Sequence, residues 1–435
     1  MIQSFFINNF KSYKSAQFKL APLTVLIGAN ASGKSNAIEA LRLMSWISNG
    51  NKLSSIKFAV EQSGGPVRGR VSDLARGDLR GFSLGFFGGL TDGLHSTTDY
   101  NRFIVSLREE EDELYIVDER VTSVKSIVPL YEVFEPSDTV GHDLKVAYNN
   151  FARGGVKPKV RCVDQQPVFI QLESSARFDS GHKKSSQIIP TVCSRIQKWL
   201  NGMAFLDPSP GAMRGYGHET DDTLSQDGSN LSGVLYNLCK NPDVKSEVLS
   251  LIRALPEQEI SDIFFIKTAR GEVMLSLVET FGGEKRNFDA SLLSDGTLRV
   301  LSIATALLSA PEGSVVVVEE IDNGVHPSRA QKLLHAIVDL AERRSLKVVL
   351  STHNPALLDS VPDRSIGEVV FCYRDNENGS SKLTALKDFA KFPSLISRGS
   401  LGYLMTEGII DRFAKAEEDS GRDALKWLQR VRSES

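Results

Sequence analysis

Eight residues, Gly28-Ala29-Asn30-Ala31-Ser32-Gly33-Lys34-Ser35, restrict the fold of this chain more than any others. They follow the apolar run LTVLI at 23–27, which reads as a buried strand stopping on glycine. They open a segment, 34–47, whose apolar residues Ile38, Leu41, Met44 and Ile47 recur at helical spacing. Strand, glycine-rich turn and helix in this order fit the pattern GxxxxGK[ST]. The glycines let the backbone turn its N–H groups inward around a phosphate, and the helix N-terminus adds its dipole. Lys34 is then placed to reach the β- and γ-phosphates of a nucleotide, and Ser35 to ligate Mg2+. Gly28, Asn30, Gly33 and Asn36 complete the expected nucleotide-binding set. The bland alternative is a chance glycine-rich turn before a helix.

Three later motifs fit the same chemistry. Val315-Val316-Val317-Val318 reads as a central buried strand, and Glu319 and Glu320 follow at its carboxyl end, the edge at which parallel sheets bind ligands. The first carboxylate suits Mg2+, and the second suits a base that polarises an attacking water. The competing reading is a solvated strand end. Leu293-Ser294-Asp295-Gly296-Thr297 opens a helix 25 residues before the glutamates. Ser294 is a good N-cap, and a serine and glycine at a helix start also make an anion site. Ser351-Thr352-His353-Asn354-Pro355 follows another strand. His353 there can contact a γ-phosphate, although a lone loop histidine is more often structural.

Strand and helix signals alternate from 287 to 375: helix over 295–309, strand over 314–318, helix over 328–343, then strands over 346–351 and 368–373. This implies an α/β fold with a mostly parallel sheet. Earlier segments read as strands over 3–8 and 16–20, and as a strand pair within 100–121 joined by the acidic turn EEEDE. The pattern over 126–285 is mixed. Helices are expected over 191–200, just after Pro190, and over 231–240 and 242–255, the last two preceded by a polar link over 215–229. Two final helices are expected over 403–416 and 423–431. The expected division is 1–125 and 286–390 as two parts of one lobe, 126–285 as an insertion, and 391–435 as a helical extension. No heptad run lasts more than a few turns, so no long coiled coil is expected, and no fixed-period repeat is present.

Composition excludes more than it assigns. A net charge of −3 over 435 residues gives no global signal for nucleic acid. The best local basic run is KPKVR, with Lys157, Lys159 and Arg161, but three charges beside a proline cannot carry a DNA-binding argument and read better as a solvated loop. No apolar run reaches the ~18 residues of a membrane span, and the N-terminus lacks a signal-peptide pattern. Four scattered cysteines make neither a zinc site nor a disulfide scaffold, so a reduced, cytoplasmic protein is expected.

With the four motifs in this order, the chain resembles the SMC/RecF/OLD-like ABC-class ATPases. The likeness runs through FFINNFKSYKSAQFKLAPLTVLIGANASGKSNAIEAL, and again through LLSDGTLRVLSIATALL, VVVVEEIDNGVHPSRAQKLLHAIVDLA and KVVLSTHNPALLD. A weaker match covers AFLDPSPGAMRGY and LSQDGSNLSGVL. The resemblance implies an ATP- and Mg2+-dependent switch built as a dimer with composite sites. In such a dimer Ser294 and Gly296 contact the γ-phosphate held by the other subunit, Glu319 serves Mg2+, Glu320 is the base and His353 senses the γ-phosphate. It also implies a sensor role in prokaryotic antiphage defence or DNA maintenance, with a separately encoded effector (nuclease or toxin) and DNA as a further candidate partner.

This sequence departs from the family pattern in three places. Ile321 stands where proline is common, Asp295 where glycine is usual, and His326 where transporters carry the D-loop aspartate. Gln62 is the Q-loop candidate. About 60 residues follow Tyr373, too few for the Toprim nuclease of OLD proteins, and Asp375 and Glu377 read as a polar turn. A RecF-type DNA clamp with slow turnover is the main alternative. A transporter subunit fits poorly, because the insertion is too long.

Overall fold

The computed structural model describes residues 1–60, 64–90, 100–124, 126–135, 140–152, 154–253, 259–281, 284–322 and 327–417. Its first strands are β1 (Ile2–Phe10), β2 (Tyr13–Lys19), β3 (Leu23–Ile27), β4 (Gly81–Gly88), β5 (Arg102–Glu110) and β6 (Glu113–Thr122). Then come β7 (Tyr131–Val133), β8 (Leu144–Tyr148), β9 (Lys159–Cys162), β10 (Ala204–Leu206), β11 (Gly217–His218), β12 (Glu259–Lys267), β13 (Glu272–Phe281) and β14 (Glu284–Asp289). β15 (Val315–Val318), β16 (Lys347–Ser351), β17 (Val369–Arg374) and β18 (Ser381–Ala385) close the series.

Fourteen of these strands form one sheet in the order β10-β15-β16-β3-β17-β18-β2-β1-β4-β5-β6-β7-β8-β9. From β10 to β17 neighbours run parallel. Beyond β2 every pairing is antiparallel. The two halves meet where β18 runs parallel to β2, with Ser381 opposite Tyr13. This is the α/β architecture expected, a mostly parallel sheet joined to an antiparallel N-terminal one.

The parallel strands are apolar throughout because both faces are covered. Leu26, Val317 and Val349 point into a core shared with Ala37, Ile38, Leu41 and Met44 of α1 (Lys34–Ser48). Val25, Ile27, Val316 and Val318 point the other way, against the helices Asp295–Ser309 and Pro327–Arg343. The two-residue alternation of a strand thus divides one apolar run between two cores.

The 126–285 segment goes to three places. β7–β9 extend the large sheet at one edge, β10 forms its other edge, and β11–β14 make a small second sheet. Helices Leu231–Leu238 and Pro242–Arg253 border that small sheet and share its core. The helix expected only after Pro190 runs from Lys183 to Asn201 and passes through that proline. Proline removes one helical hydrogen bond, but Ser185 and Ile189 before it and Val192, Cys193, Ile196 and Leu200 after it are all buried and hold both halves in place. Near the C-terminus Leu401–Thr406 is helical, and helix resumes over 409–417. The helix expected over 423–431 lies outside the described residues.

One carboxylate is shut inside the antiparallel half. Glu119 accepts hydrogen bonds from the Tyr131 hydroxyl and from the N–H groups of Val168 and Phe169, each at 2.8 Å. Burial pushes its pKa up to about 7, against the pull of those three donors. The folded chain therefore holds this proton more tightly than the unfolded chain, where glutamates titrate near about 4.3. The stability this adds is complete below the unfolded value and is lost as pH rises through about 7. At about 1.4 kcal/mol per pH unit the full effect is ~4 kcal/mol. Denaturant unfolding measured from pH 4.5 to 7.5 is expected to show this loss in the wild type. The slope should be shallower in Glu119→Gln, where the carboxyl no longer titrates.

Candidate nucleotide site

β3 ends at Ile27 and α1 begins at Lys34, so the glycine-rich loop lies at the carboxyl end of the parallel strands. Gly28 (φ 144°), Ala31 (φ 62°) and Gly33 (φ 119°) all have left-handed backbone. A Cβ on Gly28 would lie 2.1 Å from the Cys372 carbonyl oxygen, and one on Gly33 would lie 2.4 Å from Ser381 Oγ. Neither position has room for a side chain. Most of the loop's carbonyls are already engaged. Gly33 O accepts from the Tyr13 hydroxyl (3.0 Å), and Ser32 O accepts from the Ser381 hydroxyl (2.5 Å). Gly28 O and Ala29 O accept from the Lys34 ammonium at 2.5 and 3.1 Å. The first N–H groups of a helix have no intrahelical acceptor, so those of α1 remain for an anion.

Burial lowers the pKa of the Lys34 ammonium, against the raising influence of Cys372, Glu320 and Asp322. Asn36 donates to Ser12 Oγ at 2.7 Å, and Ser381 also bonds that hydroxyl at 2.8 Å. The β1–β2 turn is thereby tied to the loop.

The two glutamates sit just beyond β15. Glu319 N–H donates to Leu206 O of β10 (2.9 Å), and the Glu319 carboxylate pairs with Arg42 of α1 (2.5 Å). Burial raises the Glu319 pKa, and Arg42 works against that rise. Glu320 has φ 47°, a conformation costly for a residue with a Cβ. Ser351 holds it there: its hydroxyl accepts from Glu320 N–H (3.1 Å) and its carbonyl from Ile321 N–H (3.3 Å). His353 follows β16, and its Nδ1 lies 3.7 Å from the buried Asp322 carboxylate.

A cavity of about 360 Å³ gathers these pieces. Its walls include Asn30, Gly33, Lys34, Ser35 and Asn36 from the loop, Glu319 and Glu320 from the end of β15, and His353 from the end of β16. Gly28 stands behind, where its carbonyl holds Lys34. Ser294 and Gly296 are not among the cavity's walls. Ser294 caps its own helix instead, accepting from Thr297 N–H at 3.2 Å, while Asp295 pairs with Arg214 at 2.7 Å. Gln62 and His326 lie outside the described residues. The basic run lies on and beside the edge strand β9. There Lys159 sits over the Phe134 ring (3.0 Å) and Lys157 bonds Asn150 (3.3 Å).

Sequence reasoning missed two cations in this cavity. Arg374 ends β17, where it donates to Ala31 O (2.9 Å). Its place one residue past a predicted strand was the available signal. Arg68 carries no such signal. Its guanidinium is fixed by the buried Glu39 of α1 (2.6 Å), which also binds Lys11. Among the described residues no three His, Cys, Asp or Glu side chains gather for a metal ion. Ser35 and one carboxylate, together with phosphate oxygens, would give a donor set of hard oxygens that suits Mg2+.

A glycine loop between β3 and α1, paired carboxylates after β15 and a histidine after β16 define an ABC-type ATPase lobe of the SMC/OLD class. The chain belongs to the family described as "AAA domain, putative AbiEii toxin, Type IV TA system", whose model matches residues 23–359. The Old nuclease of Escherichia phage P2 is 22% identical over 381 residues, which cover 81% of this chain and 56% of that protein. The chain thus spans about half the length of this curated relative. Solved structures of SMC heads are similar at lower identity. One, bound to the C-winged helix domain of ScpA, is 12% identical, with 88% of this chain and 96% of that one covered and a TM-score of 0.47. Another, with an extended coiled coil bound to the C-terminal domain of ScpA derived from Pyrococcus furiosus, is 11% identical, with coverages of 91% and 99% and a TM-score of 0.44. No helix among the described residues is long and apolar enough to cross a membrane.

Proposed function

We propose that the chain binds ATP with Mg2+, hydrolyses it, and works as a switch in a dimer whose sites are shared between subunits. The observation that carries this reading is the single cavity joining Lys34, Ser35, both glutamates and His353. In this reading the first turn of α1 and Lys34 hold the β- and γ-phosphates, and Lys34 exchanges its carbonyl partners for phosphate oxygens. Arg68 and Arg374 add positive charge at the cavity wall. Ser35 and Glu319 would hold Mg2+, which would supply charge neutralisation at the phosphates. Glu320 accepts the proton of a water aligned on the γ-phosphorus, and His353, oriented by Asp322, contacts the γ-phosphate.

The biological reading follows the family. We assign a cytoplasmic sensor subunit of antiphage defence or DNA maintenance, coupled to a separately encoded effector. In support, the chain matches the Old nuclease over about half of that protein's length. The chemistry is tested by phosphate release from ATP. Purified protein is expected to release phosphate with ATP and Mg2+ and to fall to background when EDTA removes the metal. Equal release in EDTA would remove the metal-dependent hydrolase reading.

A further inference from the structure

Arg42 lies outside every motif read from the sequence, yet its partner is the first carboxylate of the catalytic pair. It stands seven residues after Ser35 on α1, two helical turns along the same face. Its Nη2 meets Glu319 Oε1 at 2.5 Å, and both side chains are largely buried, at 13% and 19% exposure. The guanidinium also lies 5.5 Å from the centre of the Phe205 ring. Phe205 belongs to β10, in register with Val317 of β15, so the ring braces Arg42 from the strand beside the one that delivers Glu319. Arg42 lines a second cavity of about 490 Å³, Glu319 lines the nucleotide cavity, and no residue lines both. The ion pair thus links the lining of one cavity to the lining of the other.

We infer that Arg42 is a positioning residue for metal binding. By fixing one oxygen of Glu319 it holds the carboxylate at the edge of the nucleotide cavity, ready for Mg2+. A fully exposed ion pair would contribute little, but this pair is largely shielded from solvent, braced by a ring and connects α1 directly to the end of β15. Outer partners that orient a ligating carboxylate typically change metal affinity by about 10–100-fold when removed. The inference rests on the ATP–Mg2+ reading proposed above.

The test measures ATP binding by calorimetry in EDTA and across a Mg2+ titration, with every protein carrying Glu320→Gln so that turnover does not enter the reading. With Arg42 in place Mg2+ is expected to strengthen ATP binding with a defined midpoint. In Arg42→Ala that midpoint is expected to rise by about 10–100-fold, while affinity in EDTA stays within about twofold because the phosphate cradle is untouched. Arg42→Lys keeps a cation without the planar fork and should recover part of the loss. Phe205→Leu keeps Arg42 but removes its brace and should give a smaller shift in the same direction. An unchanged Mg2+ midpoint in Arg42→Ala overturns the inference. If Arg42→Ala does not fold, as judged by its melting curve, unchanged midpoints in both Arg42→Lys and Phe205→Leu overturn it equally. A protein with Arg42 in place whose ATP affinity ignores Mg2+ instead refutes the underlying metal reading, and the role of Arg42 falls with it.

Discussion

Glu320→Gln is expected to slow ATP hydrolysis by about 10²–10⁴-fold while ATP still binds. The substitution keeps the size of the side chain and removes its ability to take a proton. Glu320 already pays for a left-handed backbone at φ 47°, and glutamine, unbranched at Cβ, inherits that conformation at the same cost of about 1–3 kcal/mol. The bonds from Ser351 to Glu320 N–H and Ile321 N–H involve only backbone on the 320–321 side, so they survive the change. The fold and the phosphate cradle should therefore be intact, and the loss should appear in the rate alone. Single-turnover phosphate release, read beside calorimetric ATP binding, separates the two. Wild-type turnover in Glu320→Gln would move the base elsewhere, and Glu319 is the first alternative.

The parts of this site that sequence made legible are those whose chemistry is local. Gly28 to Ser35 carry their own geometry, because the left-handed turns, the lysine and the start of the helix lie within eight residues. Val315–Glu320 is equally self-contained. Arg42 was hidden because its partner is 277 residues away and helical spacing says nothing about which strand end it will meet. Arg68 was hidden for a related reason: its anchor, Glu39, is a buried carboxylate in the middle of an apolar helix face. β7–β9 and β12–β14 were illegible over 126–285 because several are short or half exposed and take their pairing from distant neighbours. Pro190 misled because a proline normally marks a helix boundary, and here buried side chains on both sides outweigh the lost hydrogen bond.

Ser294 decides whether the site is shared between subunits. Within one chain it is an N-cap and does not line the cavity holding Lys34, which a purely structural serine and a residue acting on a partner's nucleotide would both satisfy. Aspartate separates them. It caps helices about as well as serine and is favoured by the helix dipole, so Ser294→Asp should melt within a few degrees of the wild type. Set against a γ-phosphate it repels, because two negative charges meet without a compensating donor. If Ser294 acts across the dimer, ATP should bring Glu320→Gln subunits together in light scattering, and adding Ser294→Asp should abolish that association. Mixing offers a second readout. Lys34→Ala and Ser294→Asp proteins should each be inactive, and their heterodimer contains one intact composite site and one doubly broken one. Phosphate release that returns on mixing requires Ser294 to serve the partner's nucleotide. A Glu320→Gln/Ser294→Asp protein that still dimerises only with ATP would leave Ser294 as a helix cap and nothing more.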